Sequence, residues 1–370
     1  MKKSLIILIV CAVFSLLCCW AFFFFKVDLG DVSYPSDWDT HVVSSIDDDI
    51  QADSMRCWTF QLVWNDMVNE VVKQDVVFNP QLKEVENLNK QTFTKDQLSE
   101  DSYYTKFWLM TKDIKKEIEN WIDERFDETS DILDQFNRDN VPQSDSDYDW
   151  TSQKEYFFYA MLKKVFEFPT VFDKLEKWSF NNRYENIKYF WIDKKSKSKL
   201  RSQVAVLYYN DDSDFAVSLR TKEWESVILS RGTNKKSFLE SYNAIFKKAE
   251  KYDWDKSFWS YDYLKVPNLN VDVERKYEEF KNKPFLAADW DFCEISQAVQ
   301  TIQFELDEKW WKIKSEAAIS LAKSAAVMPT KEPEPRYFYF DKPFMIFLKE
   351  ANKDIPYYAA QVSNITMFQK

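Results

Sequence analysis

The pattern of apolar and polar positions divides the chain into three stretches. Residues 5–25 form a run of 21 in which only Ser15 lies outside the apolar and aromatic set. That length reaches the roughly 20 residues needed to cross the hydrocarbon of a bilayer. Its end, Cys18-Cys19-Trp20-Ala21-Phe22, lacks the small-residue site that a cleaved leader uses. Residues 1–26 are therefore expected to be an uncleaved transmembrane anchor, a cleaved signal peptide being the alternative. Lys2 and Lys3 would hold the N-terminus inside and leave the body extracytoplasmic, or secreted if the segment is removed. Residues 27–53, rich in Asp and Ser with little periodicity, predict an acidic, solvated linker. Residues 54–370 carry the periodic segments of one folded domain.

Within that domain, Trp58, Leu62, Met67 and Val71 recur at helical spacing after Ser54, predicting a helix over 54–72 with Ser54 as its cap. Residues 76–82 predict a short strand stopped by Pro80, followed by a helix. Ile114, Ile118, Trp121, Ile122 and Phe126 share one face of a helix over 114–133. Residues 156–180 open as an apolar strand, and 187–192, 202–209 and 215–219 alternate or run apolar between polar turns, as antiparallel hairpins do. A helix is predicted over 233–252, and strands over 264–271 and 299–306. The sum is a mixed α+β domain with a large, mostly antiparallel sheet and flanking helices.

Composition then narrows the chemistry. With 45% hydrophobic and 18% aromatic residues the chain can build a core. A net charge of −11 excludes the basic surface that nucleic acid requires. The single histidine, His41, sits in an acidic Ser/Asp stretch, so a Ser-His-Asp triad, a Cys-His dyad or a His-based zinc site has no histidine within the domain. No catalytic residue, metal ligand or cofactor motif is expected. A carboxylate-only hydrolase is left with 61 Asp and Glu but no motif to place them. Cys57 and Cys293, the cysteines outside the apolar run, are expected as separate buried thiols.

Two counts stand apart: 2 Gly and 15 Trp, where average usage would give roughly 26 glycines. Two explanations stay open. Either the protein is depleted in glycine, or some tryptophan positions are glycine in the living protein through recoded UGA codons.

Residues 314–347 organise the remainder. An Ala/Ser-rich segment runs through a Pro-punctuated charged loop into an aromatic strand, and FYFDKPFMIFL at 338–348 resembles the serpin signature at every position, with Phe340, Asp341, Lys342, Pro343 and Phe344 at its centre. The helix at 114–133 is similar to the one that crosses the front of the serpin sheet, and Phe166-Glu167-Phe168-Pro169 to the segment after its central strand. The front half is short by comparison, with Pro80 and Ile118 only 38 positions apart and a deletion near 83–113. The resemblance implies a monomeric suicide substrate of serine or cysteine proteases, whose exposed reactive loop inserts into the central sheet after cleavage. The hinge would lie at Glu308, Lys309, Trp310 and Trp311, leading into Ser315, Glu316, Ala317 and Ala318.

At period 2, Ala318, Ser320, Ala322, Ser324 and Ala326 present a uniformly small face suited to insertion, although the same residues are good helix formers. Trp310 stands where a serpin has its hinge glycine, and two indoles there oppose insertion. A non-inhibitory surface protein of the same architecture, binding a ligand or partner, is the alternative. The bait bond is left between Met328, before Pro329, and Lys331, before Glu332-Pro333.

Overall fold

The computed structural model describes residues 42–126, 133, 141–147, 154–222, 225–308 and 334–369, all within the unit Trp38–Lys370. The expected anchor at 5–25, His41 and residues 309–333 lie outside the described residues. Among the described residues no helix is long and apolar enough to cross a membrane.

The elements follow in chain order. β1 (Met55–Cys57), α1 (Thr59–Met67) and α2 (Lys83–Leu88) open the domain; β2 (Tyr103–Leu109), α3 (Lys112–Phe126) and β3 (Lys154–Val165) follow. Then come β4 (Asp173–Phe180), β5 (Tyr184–Ile192), β6 (Val204–Asp211), β7 (Asp214–Arg220) and β8 (Ser226–Arg231). After α4 (Phe238–Glu250) the described elements are mostly strands: β9 (Tyr263–Pro267), β10 (Leu269–Lys276), β11 (Phe285–Leu286) and β12 (Phe292–Leu306). Beyond the undescribed segment lie β13 (Tyr337–Tyr339), β14 (Phe344–Lys349) and β15 (Tyr358–Val362).

Three sheets result. One has six strands in the order β1-β15-β14-β8-β7-β6, a second the order β10-β12-β3-β2 with β11 on β12, and a third the order β13-β9-β5-β4. The second is the central sheet. Its strands pair antiparallel except at one seam, where β12 and β3 run parallel from Cys293 opposite Lys154 to Glu305 opposite Val165.

β3 reads as an apolar run because both of its faces are covered. Phe157, Tyr159 and Met161 pack with Ile114, Ile118 and Ile122 of α3 and with Val299 of β12. Phe158 and Ala160 face Phe60, Val63 and Trp64 of α1. The apolar stripe read for α3 is thus the one that lies on the sheet, with Trp121 stacked on Tyr104 of β2 at 4.3 Å and Val299 of β12 in the same cluster.

Several expectations needed correction. Residues 54–72 are not one helix: β1 pairs Met55–Cys57 with β15, and α1 starts only at Thr59, with no side-chain cap. Residues 76–82 form no strand. Of the expected linker, residues 42–53 pack onto the domain: Val42 and Ile46 are buried, and Asp48 accepts hydrogen bonds from the Ser44 hydroxyl and the Ser45 amide. The strand expected over 264–271 breaks at Asn268 into β9 and β10, which belong to different sheets. Within residues 83–113, where a deletion was expected, β2 pairs with β3 over its whole length.

Trp290 lies in the β11–β12 turn at φ 70°, 79% exposed. An indole there is held in the left-handed region that glycine enters without steric cost. Trp58 and Trp64 are wholly buried, so their indoles are part of the core.

Candidate functional site

The site is the frame from which the undescribed segment 309–333 leaves and to which it returns. It leaves from the end of β12 in the central sheet and returns to β13 in the third sheet.

At the departure end Glu308 is buried. Its carboxylate pairs with Lys174 Nζ at 2.7 Å and accepts from Asn268 Nδ2 at 3.0 Å. Burial opposes ionisation of Glu308, yet the hydrogen bonds from Lys174, its backbone surroundings and Asn268 hold its pKa below the usual value. Lys174 is 57% exposed, so solvent screens this pair. A cavity of about 380 Å³ opens beside it, lined by Lys174, Asn186, Asn268, Glu305 and Asp307 among others.

The return end is held differently. Arg336 meets the fully buried Asp262 carboxylate through Nε at 3.0 Å and Nη2 at 2.7 Å, a two-pronged pair. Its remaining donors reach the Tyr252 hydroxyl at 3.1 Å and the carbonyls of Asp255 and Ser257 at 3.1 and 2.7 Å. Burial works against the guanidinium charge, but Asp262 and Tyr252 outweigh it and raise the Arg336 pKa.

The signature residues come next, and they are not one strand. Phe340–Pro343 form the turn that carries the chain from β13 in the third sheet to β14 in the six-stranded sheet, and Phe344 begins β14. Each buried member has a physical reason to be there. The Phe340 ring lies 5.2 Å from Phe215 and 5.4 Å from Phe344, packing the turn onto the six-stranded sheet, while its amide donates to the Lys265 carbonyl of β9 at 2.8 Å. Asp341 pairs at 2.7 Å with Lys265, a buried ammonium sitting 4.1 Å from the Trp178 ring and 4.3 Å from that of Tyr339. Burial lowers the Lys265 pKa and Asp341 partly restores it. Lys342 and Pro343 are exposed.

Of the other residues singled out from the sequence, Lys309, Trp310, Trp311, Ser315, Glu316, Ala317, Ala318, Met328 and Lys331 lie outside the described residues. Several residues that pattern did not single out hold the frame. Gln300 of β12 donates to the Cys57 carbonyl at 3.0 Å and the Thr59 hydroxyl at 2.9 Å, and accepts from Tyr277 Oη at 2.8 Å. Ser296 crosses the parallel seam, its hydroxyl donating to the Tyr156 carbonyl at 2.8 Å. Polar residues in the apolar run of β12 were the available signal, since buried polar groups need partners.

Cys57 and Cys293 are buried thiols, and burial pushes the Cys57 thiol up to about 11. Among the described residues no cluster of His, Cys, Asp and Glu could hold a metal ion.

No known family model matches the sequence, and no curated protein does. Among solved structures the chain is similar to Serpin48, a highly specific serpin of the insect Tenebrio molitor. The identity is 11%, the TM-score 0.49, and the match covers 85% of this chain and 92% of that one. It is also similar to the thermophilic serpin Tengpin in its native state, at 11% identity and TM-score 0.46 over 87% and 90% of the two chains. A third is the mouse protein Z-dependent protease inhibitor, at 11% identity and TM-score 0.46 over 85% and 91%. Similarity at this level concerns the fold.

Proposed function

We propose that the chain is a serpin-type inhibitor of serine or cysteine endopeptidases, consumed as a suicide substrate through the loop within 309–333. One observation carries the proposal. β12 and β3 are adjacent and parallel, and the chain leaves β12 at a buried end beside their seam. A segment folding back from Glu308 between them would be antiparallel to both. It would replace one parallel ladder by two antiparallel ones, and parallel pairing is the less stable kind per residue. Each added backbone hydrogen bond contributes roughly 0.5–1.5 kcal/mol net.

The chemistry belongs to the protease. Its nucleophile attacks the carbonyl of the bait bond, the peptide C–N bond breaks, and the proton passes to the leaving amine. The N-terminal side of the loop is left as an acyl ester, or a thioester on a cysteine protease. Freed at that point, the segment beginning at Lys309 can enter the seam and carry the esterified protease with it. The C-terminal side stays attached through Arg336 and β13. Entry must separate β12 from β3, and with them the Val299, Phe157 and Tyr159 contacts beneath α3. The small face of Ala318, Ser320, Ala322 and Ser324 suits the buried side of such a strand.

The protein would act outside the cytoplasm, held to the membrane by residues 5–25 or secreted after their removal; resistance of the chain to extraction by alkaline carbonate separates the two. The decisive experiment mixes the purified chain with trypsin-like, elastase-like and subtilisin-like proteases and resolves the products on a denaturing gel. A band at the summed mass that survives boiling is the expected result. Clean cleavage within 309–333 with the protease still active would reject inhibition. It would favour a non-inhibitory binding protein, the reading that Trp310 and Trp311 at the hinge support.

A further inference from the structure

A cavity of about 1370 Å³ opens beside the return end of the loop, between the β6–β7 hairpin, the end of α4 and the stem Glu334–Tyr337. Its walls are aromatic. Trp254 is 78% exposed, and the rings of Trp259 and Tyr261 lie nearly parallel, 8° apart with centroids at 6.3 Å.

Its charge is acidic. Asp211, Asp212, Asp253, Asp255 and Glu334 line it, against Lys248, Lys251 and Arg336. Two of those three cations are already matched by carboxylates that do not line the cavity: Lys248 by Asp214 at 2.6 Å and Arg336 by Asp262. What faces the opening is therefore a carboxylate excess around indole and phenol faces, a combination that attracts Lys and Arg side chains by charge and by cation–π contact.

We infer that this cavity is an accessory docking site for a Lys- or Arg-bearing segment of the protease that engages the loop. The occupant is a protease because the cavity is continuous with the loop's C-terminal stem. A protein that engages the chain at the stem Glu334–Tyr337 meets the cavity those residues line, and the charge of the lining selects a basic segment. That assignment rests on the proposed inhibitory function; binding of a cationic peptide does not.

The test uses the full chain and a fluorescein-labelled hexalysine peptide, followed by anisotropy, with hexaglutamate and hexaserine as controls. Hexalysine should bind, more weakly as salt rises, and the controls should not. The triple variant Trp254→Ala/Asp253→Asn/Glu334→Gln alters exposed side chains and should unfold at the parent's temperature while losing about tenfold or more in affinity. Unchanged hexalysine binding by a folded triple variant, or equal binding of hexaglutamate, would overturn the site. With a basic protease, the triple variant should associate about tenfold more slowly with reduced salt dependence, at an unchanged number of inhibitor molecules consumed per protease. Equal association rates in parent and variant, with hexalysine binding lost, would overturn the protease as occupant. Absence of any boil-resistant complex rejects the inhibitory function and leaves the peptide titration to judge the cavity.

Discussion

The two ends of the loop are fastened by different physics. At the departure end Glu308 meets one lysine that is more than half in water and one asparagine amide. At the return end Arg336 reaches a wholly buried carboxylate, two backbone carbonyls and a tyrosine hydroxyl. Glu308 is itself buried, but its lysine stands in solvent that screens the pair to about 0–1 kcal/mol, whereas breaking a pair largely buried on both sides costs about 3–5 kcal/mol, because it strands a charge away from water. On the proposed mechanism the segment enters the sheet from one end, which needs that end to be releasable and the other to stay. The difference between Glu308 and Arg336 has that polarity.

The strongest way to break the comparison is to cut the loop. A single nick within 309–333 should raise stability by on the order of 10 kcal/mol if a whole added ladder forms along the 12 residues of β3, and a thermal melt reads it. An unchanged melting temperature would mean that the departure end does not release. Next in size, Arg336→Ala should cost about 3–5 kcal/mol in urea denaturation by leaving Asp262 buried and unpaired. A loss below about 1 kcal/mol would make the two ends equivalent. At the turn leading into β12, Trp290→Gly should stabilise by about 1–3 kcal/mol by removing a left-handed indole. No gain in the urea midpoint would show that the turn bears no strain.

The smallest effect belongs to Glu308→Gln, which keeps the Asn268 hydrogen bond but removes the ion pair. Its cost should be under about 1 kcal/mol, with faster hydrogen exchange at Asp307 and Glu308. Acid should mimic it. The Glu308 pKa is lower in the folded chain, so its contribution is fully present above the ordinary carboxylate value and is lost as pH falls through the folded one. Protection at these amides, taken relative to their intrinsic exchange rate at each pH, that does not fall in acid would refute a charge-dependent hold.

How far the sequence reached depends on the range of the interaction. An apolar run located β3, apolar runs or alternation located β5, β6 and β7, and the helical stripe of Ile114, Ile118 and Ile122 marked the face that lies on the sheet. The 338–348 motif pointed to the junction of two sheets, although its middle proved to be a turn. The split at Asn268 was hidden because both halves of 264–271 are apolar strand formers, and only their pairing partners, β5 and β12, separate them. The frame of the loop was less legible still. Gln300 finds its partners 243 and 241 positions away at Cys57 and Thr59, and Arg336 finds Asp262 74 positions away.

Periodicity is a property of neighbours along one element, so the sequence by itself determined which faces are buried and what the loop is made of. Which strand stands beside which, and hence that β3 and β12 run parallel with the loop leaving at their seam, only the tertiary structure decided. Pairing is set by the path of the whole chain and by the burial of surfaces from distant segments, and neither is a local property of sequence.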